Sequence, residues 1–198
     1  MTILFYFLLV ASAIAQPIKP KDMDIFFRGE AEKDVEVYIF DGFDLSLINR
    51  VGDFIKEKVP VTKGNYFALF FIKDGYIPEV KVLKADKENI NLGKIKVEKK
   101  MYENMGIITG VIYKPIHGGR ISFNKGIFKL IDKIEIKMLS EKGESYLIMT
   151  NDKGIFCESF KPGKYVVTIG DEKEKIDVVI RKTKTTIQNI QKEIMLID

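Results

Sequence analysis

His117 and Cys157 are each the single member of their kind in this chain. A thiolate nucleophile needs a base and an electropositive setting, and His117 is the one imidazole able to serve. It lies between Pro115-Ile116 and Gly118-Gly119, in a predicted loop, and nothing in the sequence brings it near Cys157. A zinc site would want further histidines or cysteines at ligand spacing, and none exist. His117 therefore reads as a solvated loop residue and Cys157, beside Phe156 on a predicted strand, as an unreactive thiol. Glu158 is the odd residue, because alternation puts it on the side of Phe156 and Phe160. A carboxylate there must be paired, protonated or at the sheet margin, and the expectation is that the strand ends or bulges and releases it to water.

The acidic turns Asp22-Met-Asp24, Asp41-Gly-Phe-Asp44 and Asn151-Asp152 lack the Asp-Xaa-Asp-Xaa-Asp-Gly spacing of a dedicated calcium loop. Asx turns account for them. Tryptophan is absent, so a carbohydrate platform would have to use tyrosines, with Tyr38, Tyr102, Tyr113 and Tyr146 the candidates by position. No residue is assigned a catalytic, cofactor-binding or metal-ligating role.

The elements that would carry these side chains are strands. Val35, Val37 and Ile39 alternate with Glu36 and Tyr38; Ile134, Ile136 and Met138 alternate with charged residues, as do Ile95 with Val97 and Ile176 with Val178 and Ile180. One apolar face and one charged face is the pattern of half-buried antiparallel strands, and parallel pairing is not expected. Turn signals at Asp41-Gly42, Lys63-Gly64-Asn65, Asp74-Gly75, Gly118-Gly119, Lys142-Gly143, Asp152-Lys-Gly154, Pro162-Gly163 and Gly170-Asp171 fall at sandwich spacing. Two stretches also fit a helix: Asp44 to Val51, and Thr186 to Ile197, the latter read as a closing strand.

Thr150-Asn-Asp-Lys-Gly154-Ile-Phe156 and Lys161-Pro-Gly163-Lys-Tyr165 form a strand, turn, strand, turn, strand signature with Phe156 and Tyr165 as core aromatics. A degraded copy, Thr62-Lys-Gly64-Asn-Tyr66-Phe67-Ala-Leu69 leading to Asp74-Gly-Tyr76-Ile-Pro78, stands about 90 positions earlier. The chain therefore divides into two β modules, residues 22–100 and 106–198. The boundary falls between a final strand near Leu92 to Lys99 and an opening one at Ile107 to Tyr113. The connector is neither Gly- nor Ser-rich, so the modules hold a limited set of orientations.

With 198 residues, 46 % hydrophobic and 30 % charged, the chain is in the globular range. Residues 1–15 stand apart as a secretory signal peptide: Ile3 to Ala15 is uncharged and Ala13-Ile-Ala15 precedes Gln16-Pro17 like a cleavage site. The alternative, a retained anchor, meets an apolar run shorter than the roughly 20 residues that span a bilayer. A lone cysteine excludes an intramolecular disulfide, so each module depends on its apolar core. The net charge of +4 comes from interleaved signs, as in Asp171-Glu-Lys-Glu-Lys175, which is a solvated surface and not a nucleic-acid stripe.

Both copies of the turn-and-aromatic motif, with the opening Thr109-Gly-Val-Ile-Tyr113, resemble the carboxypeptidase regulatory-like domains. That resemblance implies an all-β chain of two tandem transthyretin-like Greek-key β-sandwich domains over roughly residues 22–198. Members of that family are mostly non-catalytic appendages of exported proteins. The chain departs from the hydroxyisourate hydrolase branch, which needs several histidines and a C-terminal Tyr-Arg-Gly-Ser, since it ends Met195-Leu-Ile-Asp198. Thr168 and Ile169 stand where a crosslinking B-type repeat would place its glutamate, so no isopeptide bond is expected. The reading is a non-enzymatic, periplasmic or cell-surface interaction or structural module. It would need no cofactor and no membrane span in the mature chain. Its partner would be another envelope or surface protein, met through inter-strand loops or an unpaired sheet edge, with Tyr113 to Arg120 and Asp41 to Arg50 as the longest irregular stretches. The alternative is a small-ligand or carbohydrate-binding protein.

Overall fold

The computed structural model describes residues 22–32, 34–42, 44–49, 54–115, 128–170 and 174–192. The proposed signal segment and His117 lie outside them. No helix occurs among the described residues. The first seven strands are β1 (Asp22–Ala31), β2 (Glu36–Phe40), β3 (Leu45–Asn49), β4 (Phe54–Thr62), β5 (Tyr66–Ile72), β6 (Glu79–Lys84) and β7 (Asn89–Ile95). They form two sheets in the orders β4-β1-β7 and β3-β2-β5-β6. Ile25 and Phe27 of β1 and Ile95 of β7 pack against Val37, Phe67, Leu69 and Phe71 of the other sheet in one buried cluster. That is a two-layer sandwich, each sheet turning its apolar side inward.

The chain continues through β8 (Gly106–Pro115), β9 (Phe128–Leu130), β10 (Glu135–Ser140), β11 (Ser145–Met149), β12 (Ile155–Phe160), β13 (Gly163–Ile169), β14 (Ile176–Ile180), β15 (Thr185–Ile187) and β16 (Ile190–Gln191). Here the orders are β12-β8-β15, with β9 and β16 also pairing β8, and β11-β10-β13-β14. Ile108, Ile112, Phe156 and Phe160 meet Ile136, Met138, Tyr165, Val167 and Val178 in a second cluster. Leaving out the short β9 and β16, the second set repeats the first strand for strand. β8 stands for β1, β10 for β2, β11 for β3, β12 for β4, β13 for β5, β14 for β6 and β15 for β7.

This correspondence corrects the register of the repeat. The Gly64 turn enters β5, whose counterpart is β13, so it answers to Pro162-Gly163 and not to Gly154, which enters β12. Phe67, buried completely, takes the place of Tyr165, whereas Tyr66 is 37 % exposed. Tyr165 also donates its hydroxyl to the Lys161 carbonyl at 2.8 Å, pinning the turn before β13.

Three further expectations are revised. Within the helix candidate Asp44 to Val51, Leu45–Asn49 form strand β3, with Leu47 and Ser46 in register with Tyr38 and Ile39 of β2, and residues 50 and 51 lie outside the described range. The stretch from Tyr113 begins as strand, since β8 runs on to Pro115. Parallel pairing does occur: β1 with β7 and β8 with β15. A sheet whose first strand is central must admit its last strand alongside, and a connection crossing over the other sheet delivers that strand parallel. Thr186 to Ile197 enters this role as β15 and β16, with residues 193–198 outside the described range.

Two glycines permit that parallel approach. A Cβ on Gly110 of β8 would lie 2.0 Å from the Gln188 carbonyl oxygen, and one on Gly29 of β1 would lie 2.9 Å from Leu92 Cβ. Each half thus places a glycine on its opening strand where the last strand passes, which supplies a physical reason for the Thr109-Gly-Val signature.

Candidate functional site

β5 reads Tyr-Phe-Ala-Leu-Phe-Phe-Ile, an unbroken apolar run, and six of its seven residues are buried. Alternation still operates within it. Phe67, Leu69 and Phe71 enter the first core, while Ala68, Phe70 and Ile72 turn the other way. There they join Phe40 of β2 and meet Val111 and Tyr113 of β8 and Ile155 of β12 in a third cluster. The back of sheet β3-β2-β5-β6 therefore lies on the back of sheet β12-β8-β15, and both β5 and β8 are buried on two faces. The Phe40 and Tyr113 rings meet edge to face, centroids 5.1 Å apart. Burial also raises the pKa of the Tyr113 phenol.

Polar contacts border this seam. The Gly75 amide donates to the Thr183 carbonyl at 2.9 Å, and the Thr183 amide donates to Met105 at 2.8 Å. The Lys184 ammonium pairs with Asp74. Residues 99–101 are held to the Tyr76 turn through Ile77 N to Lys99 O at 2.8 Å and Met101 N to Gly75 O at 2.9 Å. The connector is thus bound down along its length, as a stretch without Gly or Ser runs allows. An open cleft of about 720 Å³ flanks the seam, with Tyr38, Leu45, Lys73, Asp74, Arg181 and Lys184 among its walls. Its charges are of both signs: Lys184 pairs with Asp74 within its walls, and Lys73 pairs with Glu32 outside them.

Of the residues with chemical potential, His117 lies outside the described residues, and Cys157 and Glu158 are neighbours on β12. Cys157 sits on β12 opposite Thr109 of β8. Burial pushes its thiol up to about 11, despite a hydrogen bond to Thr109 that opposes the shift. A thiol in that state is a poor nucleophile at neutral pH. Thr109, fully buried, donates its own hydroxyl to the Phe156 carbonyl at 2.9 Å. Glu158 is exposed although β12 neither ends nor bulges before Phe160. It escapes because β12 is the outer strand of its sheet, so the margin is reached sideways.

The four tyrosines do not share a surface. Tyr102 is 73 % exposed, whereas Tyr113 is buried in the seam. Tyr146 packs edge to face on Phe160 at 5.3 Å and donates to Glu144 at 2.7 Å. Tyr38 lies partly buried against the seam and donates to Glu36 at 2.8 Å. Two of the three acidic stretches are Asx turns: Asp41 Oδ1 accepts from the Asp44 amide at 2.9 Å, and Asn151 Oδ1 accepts from the Lys153 and Ile155 amides at 2.9 and 3.0 Å. Asp22-Met-Asp24 is instead the start of β1, where Asp24 pairs with Lys58 at 2.8 Å. The seam is the feature missed in the sequence, and its signal was the continuous apolar run Phe67 to Ile72, with Ile107 to Ile112 interrupted only by Thr109 and Gly110, too long for one buried face.

No family model matches the chain, and no curated protein does. Among solved structures, the TIE protein of Bacillus anthracis is similar at 12 % identity and a TM-score of 0.35, over 86 % of this chain and 33 % of that one. A minor pilin of Streptococcus agalactiae is similar at 11 % identity and a TM-score of 0.36, over 85 % of this chain and 94 % of that one. The shaft pilin SpaA of Lactobacillus rhamnosus GG gives 9 % identity and a TM-score of 0.28, over 89 % and 100 % of the two chains.

Proposed function

We propose that the chain is an exported, non-catalytic structural or interaction module of the cell envelope, built of two tandem sandwiches of the carboxypeptidase regulatory-like type. The observation that carries this reading is the seam. Two cores of equivalent strand order are joined by a third through Phe40, Phe70, Val111 and Tyr113, so that relative motion of the halves would expose aromatic surface. Each such side chain contributes on the order of 1.5–3 kcal/mol through burial. An enzyme needs convergent groups, whereas this arrangement spends its aromatics on rigidity, as a spacer or adaptor requires. Export is inferred from residues 1–15, and the partner is taken to be another envelope or surface protein.

Chemical crosslinking in the native envelope, followed by mass spectrometry, tests the proposal. The expected result is recovery of the processed chain in the envelope fraction with one recurrent protein partner in near-stoichiometric yield. Recovery from the cytoplasm, or with no protein partner, would overturn it.

A further inference from the structure

Edge strands normally carry devices against further pairing: charges, proline, bulges or short length. Most outer strands here do. β4 contains Lys56, Glu57, Lys58 and Pro60, β6 contains Glu79, Lys81 and Lys84, β7 contains Lys94, β12 contains Glu158, β14 contains Asp177, and β15 has three residues. β3 lacks charge, but its pairing with β2 is broken by a register shift between Val37 and Tyr38. β11, Ser145-Tyr-Leu-Ile-Met149, has none of these protections, and its register with β10 is unbroken.

The backbone of β11 is also oriented for pairing. The Thr150 amide donates to Ile134 at 3.0 Å and the Glu144 carbonyl accepts from Ser140 at 2.8 Å, so even-numbered residues bond β10. By alternation, the N–H and C=O groups of Ser145, Leu147 and Met149 point to the outer edge, which no strand among the described residues covers. Two of their side chains, Leu147 at 64 % and Met149 at 56 % exposure, lie bare on the outer face beside Leu139 at 42 %.

We propose that β11 is a self-association edge, where two copies of the chain pair antiparallel about Leu147 and join their four-stranded sheets into one. Several observations favour a second copy as the occupant. A two-fold pairing centred on Leu147 sets Ser145 opposite Met149 of the partner copy and uses every outward backbone group of β11, forming about six hydrogen bonds. The flanking turns are complementary in charge under the same operation. Lys142 and Asp152 are equidistant from Leu147 along the chain, so the operation sets the cation of one copy at the level of the partner copy's anion. The inference stands on this edge alone and does not depend on an envelope role.

A disulfide trap tests it in the full chain with Cys157→Ala. Hydrogen-bonded antiparallel pairs hold their Cα atoms about 5.5 Å apart, inside the roughly 4.4–6.8 Å that a disulfide spans. Leu147→Cys is expected to give a covalent dimer under mild oxidation, whereas Val179→Cys, exposed on the opposite edge strand β14, stays monomeric. Sedimentation of the parent chain is expected to show a dimer. Leu147→Lys should weaken it on the order of tenfold or more with an unchanged circular dichroism spectrum. A parent chain that sediments as a monomer, equal crosslinking at both positions, or a Leu147→Lys dimer as tight as the parent would overturn the proposal.

Discussion

Phe40 and Tyr113 stand edge to face at an interplanar angle of 63°, one from the second strand of the chain and the other from the eighth. Between them they couple sheet β3-β2-β5-β6 to sheet β12-β8-β15. Phe40→Ala should cost about 3–5 kcal/mol, since it removes a buried ring and leaves a cavity. A double-mutant cycle with Tyr113→Ala should return a coupling of about 0.5–1.5 kcal/mol for the ring pair. Denaturant unfolding of the parent is expected to be a single transition, and that of the double variant to resolve into two. Strict additivity with one transition throughout would show that the seam transmits nothing.

Gly110 and Gly163 make a matched pair for testing close approach. At Gly110 a methyl group would meet the Gln188 carbonyl oxygen at 2.0 Å and the Phe156 ring at 2.9 Å. The backbone there cannot withdraw without breaking Gln188 N to Thr109 O at 2.8 Å and Val111 N to Asn189 Oδ1 at 3.1 Å. Gly110→Ala should therefore destabilise by about 3 kcal/mol or more. At Gly163 the nearest atom to an added methyl is Tyr165 Cε2 at 3.7 Å, an ordinary contact. Gly163→Ala should be neutral or slightly stabilising, and thermal melts that rank the two variants in the reverse order would contradict the packing.

Much of the fold was legible residue by residue. Ile136 with Met138 and Val178 with Ile180 alternate in sequence and are buried in the core, because one covered face leaves a period-2 record. Phe156 and Tyr165 were likewise recognisable as core aromatics. The seam was not legible, since a strand buried on both faces loses its alternation and says nothing about what covers its second face. β5 shows this directly, Leu69 facing one core and Phe70 another. The parallel partners were hidden for a related reason: β1 and β7 lie far apart in sequence, and no local pattern encodes direction of pairing. Of the chemical candidates, Cys157 was readable as an unreactive thiol because nothing in the sequence places a base beside it, whereas the exposure of Glu158 required knowing that β12 ends its sheet.

Cys157 should behave as an inert thiol over the neutral range. Burial carries its pKa from an ordinary 9.0 to about 11, so alkylation in the native state should stay slow at pH 8 and accelerate only as pH approaches that value. The folded state therefore holds the thiol proton more tightly than the unfolded state. Its contribution is complete below about pH 9 and is lost as pH rises from there through 11. Cys157→Ala should remove that component of the alkaline stability loss. Rapid native-state labelling at pH 7 would contradict the burial of the sulfur.

Thr185 offers a test in the stabilising direction. Among the described residues, its Oγ1 is the buried side-chain oxygen without a hydrogen-bond partner, and it lies on β15 where that strand pairs β8 in parallel. An unsatisfied hydroxyl forfeits its hydration with no bond in return, at a cost of about 1–3 kcal/mol. Valine has nearly the same shape and keeps the branching that suits a strand. Thr185→Val should raise the melting temperature through a gain of about 1 kcal/mol. The neighbouring Thr186→Val is the control, because Thr186 Oγ1 donates to the Val179 carbonyl at 3.0 Å. That bond ties β15 to β14 of the facing sheet, so its removal should lower stability by about 0.5–1.5 kcal/mol. Opposite shifts from two adjacent, chemically identical substitutions would locate the unpaired hydroxyl. Equal losses at both positions would show that Thr185 has a partner after all.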